Sequence, residues 1–534
     1  MMIKAIASNY VAFHEGIHPG TIIYSVKTGK ILDTVCGNVL TEQEIFNRGW
    51  DLDSYEIVSP YLIMPGLVDS HVHLNEPGRT EWEGFETGTK AAVAGGVTTV
   101  IDMPLNAIPP TTTIENFKLK LDAAEGQLWC DVGFWGGLVP HNLDHLKPLI
   151  EAGVRGFKGF LIDSGVDEFP AIDKRYIQQA LHILQGEKTM IMFHAELQLP
   201  EAGHEHTVVD HHGEGIDEFD DCNMLSTVKS LSSVEPKYGQ VSELIQHHEE
   251  YPMDSIITPL EAAEYEANDK SLANVDPCDY KSFLLSRPDH FETDAISLIV
   301  DCLRNSVLKD GIERSPFVHI VHLASMEALP ILKHAKEIGL PITAETCFHY
   351  LSLAAENIPE SKTFYKCCPP IRSEKNRKAL WNALRQGLLT SVVSDHSPCT
   401  PELKNLAKGD FFSAWGGIAS VGLGIPLLYT NGASIAEIVK WCCENTSKQV
   451  GLDHKKGFLR TGYDADFAIF DMNTYQMVTN EKVYYKNKLT AYDGSKLKGL
   501  VRNTYVRGKM VFAVEGMGHS EHPLGQTILE RRST

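Results

Sequence analysis

The sequence lacks the features that would place it in a membrane or in a secreted scaffold. No hydrophobic run approaches the roughly 18 residues that a membrane-spanning helix needs. The opening MMIKAIASNY lacks the basic and then apolar layout of a secretion signal. Eleven cysteines are scattered without any CxxC pair, which is typical of reduced core residues rather than of a disulfide framework. We therefore expect a soluble cytoplasmic protein.

Positive charge is also scarce. The chain carries 48 Lys and Arg against 70 Asp and Glu, which is a formal net charge of -22. An acidic protein is repelled by nucleic acid and by anionic membranes, so we expect neither as a partner. The expected partner is a small-molecule substrate, and a homo-oligomer is compatible with the sequence.

The negative charge is concentrated in one stretch. Residues 201–280 hold nineteen Asp and Glu against three Lys and no Arg, a pattern typical of a solvated insertion. No strand pattern occurs at about 197–279, so we predict an acidic insertion there, and we favour a surface flap over a lid. Four of its histidines are interpreted as surface residues because no rigid element arranges them around a metal. They are His204, His206, His211 and His212.

Strand-like runs alternate with amphipathic, helix-like segments along the middle of the chain. This alternation predicts parallel strands with crossover helices. About eight such runs occur, which is the number that closes a (β/α)8 barrel. They span residues 67–73, 96–104, 130–139, 154–162, 189–196, 317–325, 341–349 and 389–397. The predicted fold class is α/β, with a TIM-like barrel over residues 64–454.

The two ends of the chain differ from the middle. Residues 1–63 and 455–534 are richer in short β runs and turns, with Gly at the breaks. Two β-rich flanks around a barrel predict one small β-sandwich domain built from both termini.

Two histidines follow the apolar run PGLVDS. Side chains alternate faces along a strand, so His71 and His73 point the same way and Val72 points the other way. Two imidazoles on one face can hold a metal ion. A pair of surface histidines is the alternative, but the strand end favours ligation because barrel enzymes carry their chemistry there.

Lys158 lies inside the apolar run 154–162, which reads as an interior barrel strand. A buried ammonium is costly unless its charge is compensated. A salt bridge is one interpretation. The one we favour is a lysine carbamylated by carbon dioxide, whose anionic oxygens could bridge two metal ions. Carbamylation needs a neutral amine, and a site of low polarity with nearby cations lowers a lysine pKa in that direction.

Three further candidates close predicted strands. His194 and His322 would each be an ordinary core histidine alone, and their shared position at strand ends makes them candidate ligands. Asp395 closes the eighth strand, where a carboxylate could ligate a metal and accept a proton from bound water. An Asp before a Pro-containing loop is otherwise commonly a cap. His319 is predicted to face the other side of its strand as a structural residue.

Several segments together resemble the cyclic amidohydrolase group of the amidohydrolase superfamily. They are HVHLNEPGRTEWEGF (71–85), DMPLNAIPPTT (102–112), GFKGFLIDSGVDEFP (156–170), HAE (194–196), VHLASMEAL (321–329), TAETCFHYL (343–351) and SDHSP (394–398). The resemblance covers nearly the whole chain except the insertion, and the set is highly specific. It implies an enzyme that hydrolyses a cyclic amide C–N bond.

The resemblance also implies a binuclear zinc centre. The implied ligands are His71 and His73 on one ion, Lys158 as N6-carboxylysine bridging both, His194 and His322 on the other, and Asp395 completing the first. Asp395 would also be the catalytic acid and base. All six positions hold the expected residue types.

Asn75 helps to discriminate among the substrates of this group. Dihydroorotases carry Arg two places after the second His, where a guanidinium suits the substrate carboxylate. The neutral amide of Asn75 fits an uncharged ureide ring better, so we expect hydrolysis of allantoin to allantoate, a step of purine catabolism. Asn75, Asn106 and Ser397 are candidate substrate contacts.

Two alternative functions remain. A dihydropyrimidinase or hydantoinase is the first, because those substrates are also neutral cyclic amides. A non-catalytic dihydropyrimidinase-like scaffold protein is the second. We disfavour it because such proteins are expected to have lost ligands, and this chain keeps them all.

Overall fold

The structure is a computed structural model that describes residues 2–198 and 275–532. The predicted acidic insertion at about 197–279 and its four histidines lie almost entirely outside the described residues. Within the described part of the chain, every helix is too short or too polar to cross a membrane.

The first strands of the chain begin a large sheet. They are β1 (Ile3–Phe13), β2 (Gly16–Ser25), β3 (Lys30–Cys36), β4 (Ser54–Ile57) and β5 (Leu62–Pro65). β1 pairs antiparallel with β2 and parallel with β4 and β5. Alternating apolar residues such as Ile6 and Ile22 bury one face of this sheet, because successive side chains of a strand point to opposite faces.

The middle of the chain forms the barrel. Its strands are β6 (Leu67–Val72), β7 (Val97–Asp102), β8 (Asp131–Phe134), β9 (Gly136–Gly137), β10 (Phe157–Phe160), β11 (Met190–His194), β12 (Phe317–Ile320), β13 (Ile342–Cys347) and β14 (Ser391–Val393). Each pairs with its neighbours in parallel. Each of the eight predicted runs contains an observed strand, and the α/β fold class is confirmed.

Two connections join the barrel sheets into a ring. β9 follows β8 directly after Trp135. The backbone N–H of Trp135 donates to the Asp102 carbonyl at the end of β7, and the backbone N–H of Gly136 donates to the Gly156 carbonyl just before β10, so this segment belongs to both sheets. At the opposite seam, Val72 forms a parallel bridge with His396. The barrel interior below the mouth is filled by apolar side chains. These include Val68, Ile101, Trp135, Met192 and Val321, so the barrel is a packed core rather than a pore.

Most of the helices connect successive barrel strands; the first lies between β3 and β4, and the last three lie between β14 and the final strands of the chain. They span Glu42–Asn47, Phe85–Ala94, Ile114–Ala124, Leu146–Glu151, Lys174–Ile183, Tyr280–Ser286, His290–Asp310, Leu329–Glu337, Phe348–Ser352, Glu374–Arg385, Gly424–Thr430, Ile435–Val439 and Asn445–Gln449. Side-chain hydrogen bonds fix where several of these helices begin. The side chains of Thr113, Asp173 and Ser373 each accept a hydrogen bond from a backbone N–H of the first helical turn. Such N-caps satisfy donors that a helix cannot pair internally.

The last strands return to the first sheet. They are β15 (Phe467–Met477), β16 (Lys496–Val506), β17 (Lys509–Ala513) and β18 (Gly518–His519). β15 pairs antiparallel with β5, so strands from both ends of the chain share one hydrogen-bonded sheet. The division into a barrel of residues 64–454 and one domain from residues 1–63 and 455–534 stays a prediction.

A buried ion cluster ties this sheet to the barrel. The Lys456 ammonium lies 2.6 Å from carboxylate oxygens of Asp131 in β8 and of Asp466 beside β15. It also lies 3.0 Å from Asp464, and Arg507 makes a further ion pair with Asp131. Lys30 lies 2.7 Å from Asp464, so Lys456, Arg507 and Lys30 together supply one positive charge for each of the three aspartates.

We expect Lys456→Met to lower the free energy of unfolding by about 3–5 kcal/mol, because it leaves buried carboxylates without their cation. Urea denaturation followed by circular dichroism measures this loss. Lys455→Met is the matched control: its partner Glu530 has a side chain that is 39% exposed, so about 1 kcal/mol or less is expected. Equal losses in both variants would contradict the role of the cluster.

Candidate metal centre

The six predicted metal-ligand positions all lie on the barrel strands or just beyond their C-terminal ends. His71 is in β6, and His73 follows that strand directly. His194 ends β11. His322 and Asp395 lie two residues beyond β12 and β14. All are buried, so the fold brings these polar side chains into one apolar setting at the mouth.

Lys158 lies one layer deeper than the histidines. It is inside β10, in register with Met192, while Phe160 is in register with His194. Its ammonium lies 4.8 Å from the Phe160 ring centroid, and that ring stacks on His194 at 4.6 Å. Among the described residues, no carboxylate lies within ion-pairing distance of this ammonium. The salt bridge considered from the sequence is therefore not found in this part of the chain.

The histidines and Asp395 form two adjoining clusters. In the first, one oxygen of Asp395 lies 3.1 Å from His71 Nε2 and 3.4 Å from His73 Nε2. In the second, His194 Nδ1 lies 3.1 Å from His322 Nε2. The rings of His71 and His322 are 5.3 Å apart, which links the clusters. The two groups of donor atoms are thus close enough to hold two neighbouring ions.

The electrostatics favour neutral imidazoles in the centre. Burial lowers the pKa of His73 to about 4 and lowers the pKa of His194. Burial, Lys158 and His194 together bring the pKa of His322 well below its ordinary value. A neutral imidazole has a free lone pair, which is the form that binds a metal.

His71 and Asp395 behave as a pair. Burial disfavours charge on both, but the carboxylate of Asp395 raises the pKa of His71. In return, His71 and His73 lower the pKa of Asp395 well below its ordinary value. The centre therefore retains an anionic carboxylate, the state needed to ligate a cation or to accept a proton.

Burial lowers the pKa of Lys158 to about 8, against the opposing influence of Asp395 and Glu345. Its charge in turn opposes protonation of each of the four imidazoles, although Asp395 and Glu345 outweigh it at His71, whose pKa is raised. Lys158 is therefore close enough to the four histidines to influence their protonation. At pH 7, one unit below this pKa, about a tenth of the amine is neutral. This neutral form reacts with carbon dioxide, and it is far more populated than in a lysine of ordinary pKa.

Sequence reasoning missed two carboxylates that orient the histidines. Glu345 in β13 accepts from His71 Nδ1 at 2.8 Å, and its other oxygen lies 3.1 Å from His319 Nε2. Glu196 lies 2.6 Å from His194 Nε2. Both are buried acidic residues within the quoted motifs, the same signal that singled out Lys158. Such partners fix which ring nitrogen is free to bind a metal.

Glu196 is itself held by a residue remote in sequence. Arg287, just beyond the helix Tyr280–Ser286, donates to Glu196 Oε2 at 2.5 Å. Together with His194 it keeps the pKa of Glu196 low, near 2, despite burial. The arginine therefore keeps the carboxylate ionised and able to accept the His194 N–H.

Four of the predicted site residues have a left-handed backbone. The φ angles are 40° at His322, 44° at Asp395, 63° at Asn75 and 68° at Asn106. A residue other than Gly rarely adopts such angles, and those that do cluster at functional sites. At His322 and Asp395 the strained turn comes two residues after the strand, where it aims the side chain into the mouth.

The three candidate substrate contacts lie on loops that meet beside the centre. Asn75 Nδ2 donates to the carbonyl of Pro398, the neighbour of Ser397, at 3.4 Å. Arg79 connects the other loops, because its backbone N–H donates to the Asn75 carbonyl and its guanidinium to the Asn106 carbonyl. The side-chain oxygens of Asn75 and Asn106 are buried without a hydrogen-bond partner. Two free acceptors suit a ligand that is rich in N–H donors.

Gly417 allows the Ser397 loop to pack. A Cβ atom there would lie 2.2 Å from the Ser397 carbonyl oxygen, and its φ of +147° is unfavourable for other residues. The adjacent Ile418 carbonyl accepts the Ser397 N–H at 3.0 Å. Glycine is therefore required where this segment passes the mouth.

The donor set fits a metal centre. Ligand atoms of His71, His73 and Asp395 lie within 4.8 Å of one another. His73 Nδ1 and His322 Nδ1 are buried without a partner among the described residues. Nε2 of the same rings faces the cluster, 3.4 Å from Asp395 and 3.1 Å from His194. A parallel barrel with such donors at its mouth is the architecture of a metal-dependent hydrolase.

Comparisons with known proteins agree with this class. The profile of the amidohydrolase family matches residues 62–260 and 288–511. Allantoinase of Saccharomyces cerevisiae is 54% identical over 532 residues, which cover 100% of both chains. Probable allantoinase 2 of Dictyostelium discoideum is 35% identical and covers 99% of this chain and 93% of its own. The chain belongs to the amidohydrolase family and, within it, to the allantoinases.

A solved structure supports the fold. The L-hydantoinase (dihydropyrimidinase) of Arthrobacter aurescens superposes with a TM-score of 0.78 over 99% of this chain and 100% of its own, at 22% identity. The predicted family and enzyme class are thus confirmed. Membership of the amidohydrolase family implies a binuclear metal centre, and the residues described above could hold it.

We expect Glu345→Gln to weaken metal binding about 10- to 100-fold, because the neutral amide no longer enforces the orientation and basicity of His71. Competition with a chromogenic chelator measures the affinity. The exposed Glu337, at the end of the helix Leu329–Glu337, provides the control Glu337→Gln. Unchanged affinity in Glu345→Gln would show that this carboxylate does not support the centre.

Proposed function

We propose that the chain hydrolyses the ring amide of allantoin to allantoate at a centre of two zinc ions. The observation that carries this proposal is the convergence of four imidazoles, Asp395 and an unpaired buried lysine at one barrel mouth. The 54% identity to a full-length allantoinase supports the choice of substrate. Nitrogen and oxygen ligands of this kind suit zinc.

The proposed ligand assignment follows the two clusters. His71, His73 and Asp395 would hold one ion, and His194 and His322 would hold the other. Lys158 would serve both as a carbamate, which would replace an uncompensated buried cation with an anion. When bound, such a pair of ions lowers the pKa of a water molecule and polarises the substrate carbonyl.

Asp395 is the proposed acid and base. Its carboxylate accepts a proton from the attacking water and returns it to the ring nitrogen that leaves when the C–N bond breaks. The left-handed backbone at Asp395 and its contacts to two imidazoles hold the carboxylate in one direction. A fixed carboxylate can serve both proton transfers without rearrangement.

The proposed substrate contacts are Asn75, Asn106 and Ser397. The unpaired oxygens of Asn75 and Asn106 accept N–H groups of the ureide, and the Ser397 hydroxyl can donate to a carbonyl. A neutral amide at position 75 offers no partner for a substrate carboxylate, which disfavours dihydroorotate. We also propose a reducing, cytoplasmic setting, since the ten described cysteines are all free thiols.

Assays with allantoin, hydantoin, dihydrouracil and dihydroorotate side by side test the substrate. We expect allantoin to have the highest kcat/KM. Asp395→Asn is the negative control, in which kcat should fall by about 10²- to 10⁴-fold because proton transfer is lost. A preference for hydantoin or dihydrouracil would contradict the proposal and favour the hydantoinase alternative.

Reconstitution of metal-free protein tests the carbamate. With zinc in buffer freed of carbon dioxide, we expect slow and incomplete recovery of activity, and added bicarbonate should restore it. Lys158→Ala should recover little activity with or without bicarbonate, since no amine remains to form the bridge. If the protein that retains Lys158 recovered full activity without bicarbonate, this result would contradict a bridging carbamate.

A further inference from the structure

A second group of donor atoms adjoins Asp395 on the side of β13. Cys347 is the last residue of β13, and His349 follows two residues later. Both are fully buried. One ligand atom from each of Cys347, His349 and Asp395 lies within 4.8 Å of the others. Cys347 and His349 have no part in the two-ion centre described above.

His349 is an unusual buried histidine. Neither ring nitrogen has a hydrogen-bond partner among the described residues, although the histidine is 0% exposed. Its ring packs against Tyr350 at 4.1 Å, but the Tyr350 hydroxyl donates to the Pro369 carbonyl at 2.6 Å instead. A buried polar group without a partner is costly and indicates a ligand that the protein chain does not provide.

We propose that Cys347, His349 and Asp395 form a third cation site, selective for a soft divalent ion such as zinc and inhibitory when filled. Zinc binds sulfur at about 2.3 Å and nitrogen or oxygen at about 2.0–2.2 Å, so its ligand atoms lie roughly 3.5 Å apart. Binding would therefore draw the three donors, which lie within 4.8 Å of one another, closer together.

The third ion brings two positive charges to the site. The Cys347 thiol releases its proton to solvent and its sulfur forms the bond to the ion, so the thiolate cancels one of these charges. The Asp395 carboxylate is shared with the two-ion centre and cancels no further charge, while the His349 imidazole stays neutral. Filling the site therefore adds one net positive charge to the interior, so we expect this ion to bind more weakly than the first two.

Inhibition follows because Asp395 is shared. Its carboxylate has two oxygens, and an ion held by Cys347 and His349 would occupy the lone pairs that a proton needs. This part of the inference rests on the proposed proton transfer by Asp395. Occupancy of the third site does not depend on it.

A cobalt titration tests occupancy. The protein is freed of metal and titrated with Co²⁺, and absorption is recorded after each equivalent. No residue of the two-ion centre contains sulfur, so a cobalt–thiolate charge-transfer band reports ligation outside it. We expect the band to be absent for the first two equivalents and to grow with the third. A third equivalent that binds without the band, or does not bind, overturns the proposal.

Substitutions identify which cysteine provides the sulfur ligand. Cys347→Ser should lose the band, and His349→Asn should weaken binding of the third equivalent at least tenfold. Cys367→Ser is the matched control, because Cys367 is another buried thiol of the same region, and it should retain the band. A band that persists in Cys347→Ser overturns the assignment, and so does its loss in Cys367→Ser alone.

Zinc inhibition is the functional readout. With two equivalents of zinc, we expect Cys347→Ser and the unchanged protein to hydrolyse allantoin at equal rates. With excess zinc, kcat of the unchanged protein should fall at least tenfold, while Cys347→Ser should resist. Equal inhibition of both overturns the inhibitory role. If no preparation hydrolyses allantoin, the proposed function fails, and the cobalt titration still decides whether the third site exists.

Discussion

The burial of the Lys158 ammonium is the constraint on which the active centre depends. Other buried lysines of the described chain have direct partners: Lys120 pairs with Asp102, and Lys456 is surrounded by three aspartates. Lys158 has only an aromatic ring and distant carboxylates. Its positive charge also opposes protonation of the surrounding imidazoles. Burial is the main reason why His73, His194 and His322 stay in their neutral, ligating form, and the charge of Lys158 adds to that effect.

Much of the barrel and its mouth could be predicted from the sequence. Alternation of strands and helices located all eight barrel strands, since burial on both faces leaves continuous apolar runs between polar crossovers. The period of two along a strand placed His71 and His73 on one face. The position at strand ends then brought His194, His322 and Asp395 to the same mouth, because the C-terminal ends of parallel barrel strands converge.

Other features depend on contacts between distant segments. Glu345 supports His71 from a strand far along the chain, and Arg287 reaches Glu196 from beyond the insertion. No local pattern predicts such pairs. The left-handed backbone at His322 and Asp395 could not be predicted from the sequence either, because tertiary packing overrides the preference of these residue types for other conformations. His319 contacts Glu345, the same carboxylate that binds His71, so this histidine supports the centre from a distance.

The pairing of β5 with β15 has a consequence for how the protein is made on the ribosome. β5 emerges before any barrel strand, and β15 emerges only after all of them. Until then, the edge of β5 that β15 will cover exposes unpaired backbone groups, which can recruit strands of other chains. Nascent chains that stall before β15 therefore expose this strand edge, and slow translation of the barrel lengthens that exposure.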